Sequence, residues 1–160
     1  MTNIYTTMNL NSFSQSPVRG LEDEKLNLNK LPVKLESGTI SAGDMVKIVA
    51  GNAHVPTIEE VASTDVNDGS ILFGFVPLTR KRNKYSAGDM ATIDLEGCVL
   101  YMIAGEDLDC GDAVCYDATS STTNGQILKV PSSTTPGLIN CGFALGDVKA
   151  GELVRVYTKY

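Results

Sequence analysis

The chain has 160 residues, 42% of them hydrophobic, with no Trp and six Tyr. That suits one domain with a real core built from Val, Ile, Leu, Met and a few Phe and Tyr. The net charge of −6 argues against nucleic acid as a general partner, because phosphate binding needs an excess of Lys and Arg. No apolar stretch approaches the roughly 20 residues of a membrane span, and Met1 to Phe13 has neither the basic start nor the apolar run of an export signal.

Residues 1–32 differ from the rest. They are rich in Asn, Ser and Thr, lack strand alternation and carry Pro17 and Pro32. Glu22, Asp23 and Glu24 are balanced by Arg19, Lys25 and Lys30. A solvating tail has no use for Leu10, Phe13, Val18, Leu21, Leu26, Leu28 and Leu31. These apolar anchors favour an extended N-terminal arm that orders against a partner over a disordered tail.

Strand signals dominate residues 33–160, the β domain. Ile40-Ser-Ala-Gly-Asp-Met-Val-Lys-Ile48 opens a pattern that recurs three times. Pro56 to Ala62 follows, with Thr57 placed to cap one short helical turn. Ile71-Leu-Phe-Gly-Phe-Val76 is a continuous apolar run, as expected of a central strand covered on both faces. Arg80-Lys-Arg-Asn-Lys84 puts four cations in five residues of an acidic chain, either as a solvated hairpin tip or as a contact for an acidic surface. Tyr85-Ser-Ala-Gly-Asp-Met-Ala-Thr-Ile93 is the second copy, and Cys98 to Ala104 is another apolar run. Leu108-Asp-Cys-Gly-Asp-Ala-Val-Cys-Tyr116 is the third copy. Residues 118–125 and 131–137 are turn-formers with nothing to bury. Val148-Lys-Ala-Gly-Glu-Leu-Val-Arg-Val156 is the fourth copy.

Each copy reads as a turn feeding a strand. Gly43, Gly88, Gly111 and Gly151 stand where the backbone needs a positive φ. The acid that follows (Asp44, Asp89, Asp112 or Glu152) can accept from nearby backbone N–H groups and close the turn. The third and fifth positions past the glycine are apolar in every copy, a period of two with one buried face. Ile40, Tyr85, Leu108 and Val148 would anchor the turns from the other side. The interval from Gly43 to Gly74 equals that from Gly111 to Gly142, and each of these later glycines precedes a Phe. Residues 38–95 and 106–158 therefore read as two versions of one β unit. The expectation is an all-β sandwich or barrel of about eight to eleven short strands, with internal pseudo-duplication and the arm.

Chemistry is sparse. His54 is the single histidine and stands in a loop with no nucleophile motif beside it. Glu59-Glu60 and Glu106, Asp107 and Asp109 sit in polar stretches, where solvated charge outweighs acid–base work. Asp107, Asp109 and Asp112 could touch Ca²⁺ in a loop, but the EF-hand pattern is missing. Cys98, Cys110, Cys115 and Cys141 lack zinc spacing, and Cys110, at the repeat's Ala position, reads as a small buried residue. Reduced thiols are expected. A Gly-Asp pair would put negative charge where a phosphate would sit. No catalytic residue, metal or cofactor is assigned.

The stretches Ser41-Ala-Gly-Asp-Met-Val46, Gly74-Phe-Val76, Ser86-Ala-Gly-Asp-Met90, Gly142-Phe-Ala144 and Ala150-Gly-Glu-Leu-Val154 resemble the capsid decoration, or structural cement, proteins of tailed bacteriophages. The resemblance covers residues 33–160. It implies a non-enzymatic virion protein, made in the host cytoplasm and placed on the capsid exterior. Its partner would be the major capsid protein, with no membrane involved. Such proteins often form homotrimers that clamp neighbouring capsomers. Candidate capsid contacts are then Leu10, Phe13, Val18, Arg19 and Leu21 in the arm, and Arg80, Lys81, Arg82 and Lys84 in the basic loop. The alternative is a ligand-binding β module for carbohydrate or a host surface, such as a head-fibre base, with Tyr157 and Tyr160 as aromatic platforms. A small enzyme on a β-clip-like scaffold, using His54, is a third reading.

Overall fold

The computed structural model describes Arg19 and residues 29–51, 54–78, 82–119 and 125–160. These residues contain twelve strands, of which ten close into two five-stranded barrels. The first barrel uses β1 (Lys30–Leu35), β3 (Met45–Gly51), β4 (Pro56–Glu60), β5 (Phe73–Phe75) and β7 (Met90–Asp94), in the order β1-β4-β3-β5-β7. The second uses β8 (Val99–Ala104), β9 (Ala113–Asp117), β10 (Gln126–Lys129), β11 (Leu138–Ala144) and β12 (Leu153–Thr158), in the order β10-β8-β12-β11-β9. The remaining pair, β2 (Thr39–Ser41) and β6 (Lys84–Ser86), forms a two-stranded ribbon.

The barrels share one topology. β1 runs parallel to β4 and antiparallel to β7, as β8 does with β10 and β12. The antiparallel pairs β3–β4, β3–β5 and β5–β7 match β9–β10, β9–β11 and β11–β12. Closure removes free sheet edges, the usual liability of short-stranded sheets. The sandwich-or-barrel choice is thus resolved as two barrels.

The four repeat turns hold the barrels in matched ways. Gly43, Gly88, Gly111 and Gly151 have φ of +88°, +88°, +94° and +87°. Each acid donates its N–H to the carbonyl three residues back, so the glycine fills the third position of a type II turn. The acid's carboxylate also accepts from the N–H of that earlier residue: Ser41 to Asp44, Ser86 to Asp89, Asp109 to Asp112 and Lys149 to Glu152, at 2.7–2.9 Å. Each glycine N–H and the following acid's carbonyl then bracket one buried residue of another strand end. Those residues are Val76, Leu35, Ala144 and Ala104. The anchors three before the glycines pair with one another, Ile40 with Tyr85 and Leu108 with Val148.

Local expectations fail at three places. Residues 56–60 form β4 rather than a helical turn. Ile58 is fully buried between parallel β1 and antiparallel β3, and that burial outweighs the capping potential of Thr57. Pro56 takes the first position of a strand, where a missing N–H does no harm. Cys110 is exposed, because the repeat's Ala position is the second residue of the turn and points outward. The run Cys98 to Ala104 is fully covered on one face only: Leu100, Met102 and Ala104 line the barrel, while on the other face Val99 is buried but Tyr101 and Ile103 are half-buried.

Lys30, Leu31 and Pro32, which composition groups with the arm, begin β1. Leu35 donates to Asp89, so the alternate residues Val33 and Leu31 also turn their N–H groups to β7 and the Pro32 nitrogen faces away. On that side β4 begins to pair with β1 only at Lys34, so the proline breaks no ladder.

Two cores result. The first barrel encloses Val33, Leu35, Ile40, Val46, Ile58, Val76, Tyr85, Ala91 and Ile93. The second encloses Leu100, Met102, Val114, Tyr116, Ile127, Ile139, Val154 and Val156, and its cluster also takes in Met45, Val61, Phe73 and Phe75 from the first barrel. The barrels are therefore joined by the outward face of β3 and β5. Phe75 packs edge-on to Tyr116 with ring centroids 5.9 Å apart, and lies 6.5 Å from Tyr160.

Candidate functional site

Arg19, one of the predicted contact residues, is bound at the seam between the barrels. Its Nη2 donates to the Gly43 carbonyl at 2.8 Å and to Asp44 Oδ1 at 3.0 Å, and Nη1 donates to the Ala42 carbonyl at 3.3 Å. Both partners of the ion pair are largely covered, with 23% and 16% of their side chains exposed. Asp44 does two jobs at once, since its other oxygen caps Ser41.

The seat depends on glycines from both barrels. The Arg19 stem runs so close to Gly43 that a Cβ there would lie 2.5 Å from Cγ. The guanidinium passes over Gly125, just before β10, where a Cβ would overlap Nη2. Both glycines also have positive φ. Beneath them Tyr116 is buried, which pushes its phenol up. The Asp44 charge acts in the same direction and the Arg19 charge opposes it.

Asn83 and Lys84, at the end of the basic loop, reach the same place. A groove of about 460 Å³ is lined by Arg19, Ser41, Ala42, Leu78, Asn83 and Lys84. Lys84 is exposed on β6. Arg82 folds back over the second turn, with Nη1 3.2 Å from Asp89 Oδ2 and Cζ 5.4 Å from the Tyr85 ring centroid. Arg19, Arg82 and Lys84 therefore gather around the first barrel's pair of turns. Leu10, Phe13, Val18, Leu21, Arg80 and Lys81 lie outside the described residues.

The corresponding turns of the second barrel have the opposite character. Asp107, Leu108, Asp109, Asp147, Val148, Lys149 and Glu152 line a cleft of about 150 Å³. Its carboxylates serve the backbone. Asp107 takes Lys149 Nζ at 2.7 Å and the Ala150 N–H at 3.0 Å, and these bonds hold its carboxyl below the usual range. Asp147 accepts from the Cys110 N–H, and Glu106 from the Lys129 N–H. The Asp109 N–H and Lys129 lower Asp112. Among the described residues no group of three or more His, Cys, Asp and Glu side chains is placed to hold a metal ion. His54 lies exposed between the first barrel's strands β3 and β4.

Sequence reasoning missed two features. The partnership of Arg19 with Asp44 had no local signal, because the acid already had a role in its own turn. The outward face of β11 and β12 was also missed, where Phe143, Leu145 and Tyr157 stand exposed. Alternation in Phe143-Ala-Leu145 could have exposed part of it.

No family model matches the chain, and no curated protein matches it. Among solved structures it is similar to the head fiber gp8.5 N base of bacteriophage phi29, with 17% identity and a TM-score of 0.49. The match covers 81% of this chain and 92% of that one.

Proposed function

We propose that the protein is a non-enzymatic virion component that attaches to the outer surface of a phage capsid and stabilises contacts between capsomers. One observation carries the reading. The arm and the basic loop, singled out separately as contact elements, meet at one groove through Arg19 and Lys84. The first of the repeated turns that carry the resemblance to decoration proteins, at Ser41 and Ala42, forms part of this groove. Arg19, within the arm, is bound to the β domain at the Asp44 turn, on the face that carries Arg82 and Lys84. An acidic patch on a capsid would complement that face, and the many copies on a shell turn a weak contact into a strong one.

The test uses two variants and shells assembled without this chain. Removal of residues 1–18 keeps Arg19 and β1 and is expected to leave the barrels folded while weakening shell binding. Replacement of Arg82 and Lys84 by Gln is expected to weaken attachment most at low salt, where exposed charges are least screened. Unchanged occupancy of shells by both variants would reject this attachment surface.

A further inference from the structure

We infer that the groove beside β2 and β6 is a carboxylate site, which takes one Asp or Glu side chain of an extended peptide segment. That the segment belongs to a capsid protein rests on the proposed attachment, whereas the site itself does not.

The groove is rich in side-chain donors, and no carboxylate is among the described residues that line it. Ser41 and Lys84 are direct cross-strand partners on the outer face of the β2–β6 ribbon, whose other face carries buried Ile40 and Tyr85. The Ala42 N–H donates to the Asn83 carbonyl at 2.9 Å, so the neighbouring pair of Ser41 and Lys84 is the closer, non-hydrogen-bonded kind. Lys84 is exposed and forms no ion pair among the described residues. Arg19 donates to Ala42, Gly43 and Asp44, and none of these bonds uses its Nε–H. The Ser41 hydroxyl and the Asn83 amide complete the donor set.

Charge sets the ligand at a single negative charge. Arg19 pairs with Asp44 and Arg82 with Asp89, so Lys84 is the uncompensated cation of the cluster. A dianion such as a phosphate monoester would bring its second charge beside Asp44 and Asp89. The volume of about 460 Å³ exceeds what one carboxylate fills and falls in the range of sites for whole ligands. Half-buried Leu78, with Ala42, supplies an apolar wall for the side chain next to the acid. The second barrel carries the opposite set. Ser41 follows one of the paired turn anchors and Lys84 precedes the other, and the same two places around Leu108 and Val148 hold Asp109 and Asp147. Both line the second barrel's cleft with Asp107 and Glu152, a setting that repels a carboxylate.

The experiment titrates the isotope-labelled full chain with the end-capped peptide Ala-Leu-Glu-Ala-Ala, followed by backbone amide shifts. The peptides with Gln or phosphoserine in place of Glu are the comparisons. The Glu peptide should move the Ser41, Ala42 and Lys84 amides with a Kd of about 0.1–1 mM, the strength of a single charged anchor. The Gln peptide should bind about tenfold more weakly, the loss of one charged hydrogen bond, and the phosphoserine peptide no more tightly than Glu. Lys84→Gln should weaken the Glu peptide by a similar factor. Ser41→Asp, which copies the second barrel, should abolish binding, and unchanged shifts elsewhere show that both variants fold. No binding of the Glu peptide, equal binding of the Glu and Gln peptides, shifts centred on the second barrel or full affinity in Lys84→Gln would each overturn the inference. Tighter binding of phosphoserine would overturn the assignment to a carboxylate. No shell takes part, so the two readings fail separately. Shell attachment without peptide binding rejects this site alone, and peptide binding without shell attachment rejects the capsid reading alone.

Discussion

Phe75 and Phe143 stand at the same place in two barrels of the same topology, each after a glycine and before a small apolar residue. One is fully buried and touches Tyr116 and Tyr160, while the other is 39% exposed. The turns show the same divergence. In the first barrel they hold Arg19 and face Lys84 and Arg82, whereas in the second they are lined by Asp107, Asp109, Asp147 and Glu152. A duplicated unit keeps the backbone bonds that close its turns and barrels. Its outward positions are free to change, so the two copies present different chemistry.

The largest effect that would sharpen this comparison is at the paired phenylalanines. Phe75→Ala should cost about 3–5 kcal/mol, the range for a buried Phe in a filled core. Phe143→Ala should cost well under about 1 kcal/mol in the monomer, as for other surface changes. Denaturant titration of both variants reads the difference, and equal losses would contradict the assigned burial.

The paired glycines come next. Gly142 has φ of +141°, and a Cβ there would overlap the Tyr157 carbonyl at the β11 bulge. Gly142→Ala should therefore cost about 3 kcal/mol from backbone strain and overlap combined. At Gly74 the nearest obstacle is the flexible end of Ile93, 2.8 Å away, so Gly74→Ala should cost less, about 1–2 kcal/mol. The ranking of the two unfolding midpoints checks this.

Arg19→Ala removes the charged hydrogen bonds at the seam and leaves Asp44 without its cation. A loss of about 1–2 kcal/mol is expected, with Arg19→Lys recovering part of it, because an ammonium cannot span Ala42, Gly43 and Asp44 together. No change in unfolding would mean that Arg19 does not bind the seam in solution.

The smallest effect is acid sensitivity of the second barrel's turns. The Lys149 and Ala150 bonds hold the Asp107 carboxyl below its ordinary range, and the Asp109 N–H and Lys129 do the same for Asp112. A depressed carboxylate contributes stability above its unfolded pKa and loses it as pH falls through the folded one. Amide exchange at Asp109 and Ala150 should therefore be well protected at pH 5 and rise below about pH 4, with little cost to the whole domain because both carboxylates are solvent-exposed. Protection that stays constant to pH 2 would contradict these bonds.

The turns were legible because their chemistry is local: a positive-φ glycine and an acid able to reach a backbone N–H three residues back. Strand alternation after each turn was legible for the same reason. The β4 strand was not, because Pro56-Thr-Ile-Glu-Glu60 suits a helix start as well as a strand, and only the flanking β1 and β3 decide. Nor could local sequence separate Phe75 from Phe143, since their burial depends on which barrel lies against which face. The seat of Arg19 depends on Gly43 and Gly125 meeting across the seam, a long-range fact that no spacing encodes.

The most direct test of the proposed role is co-sedimentation of the full chain with phage shells assembled without it, over rising protein concentration at low and high salt. The account predicts binding that saturates at a fixed number of copies per shell, weakens as salt rises and raises the shell's resistance to heat. Failure to pellet with such shells at any salt concentration would contradict it.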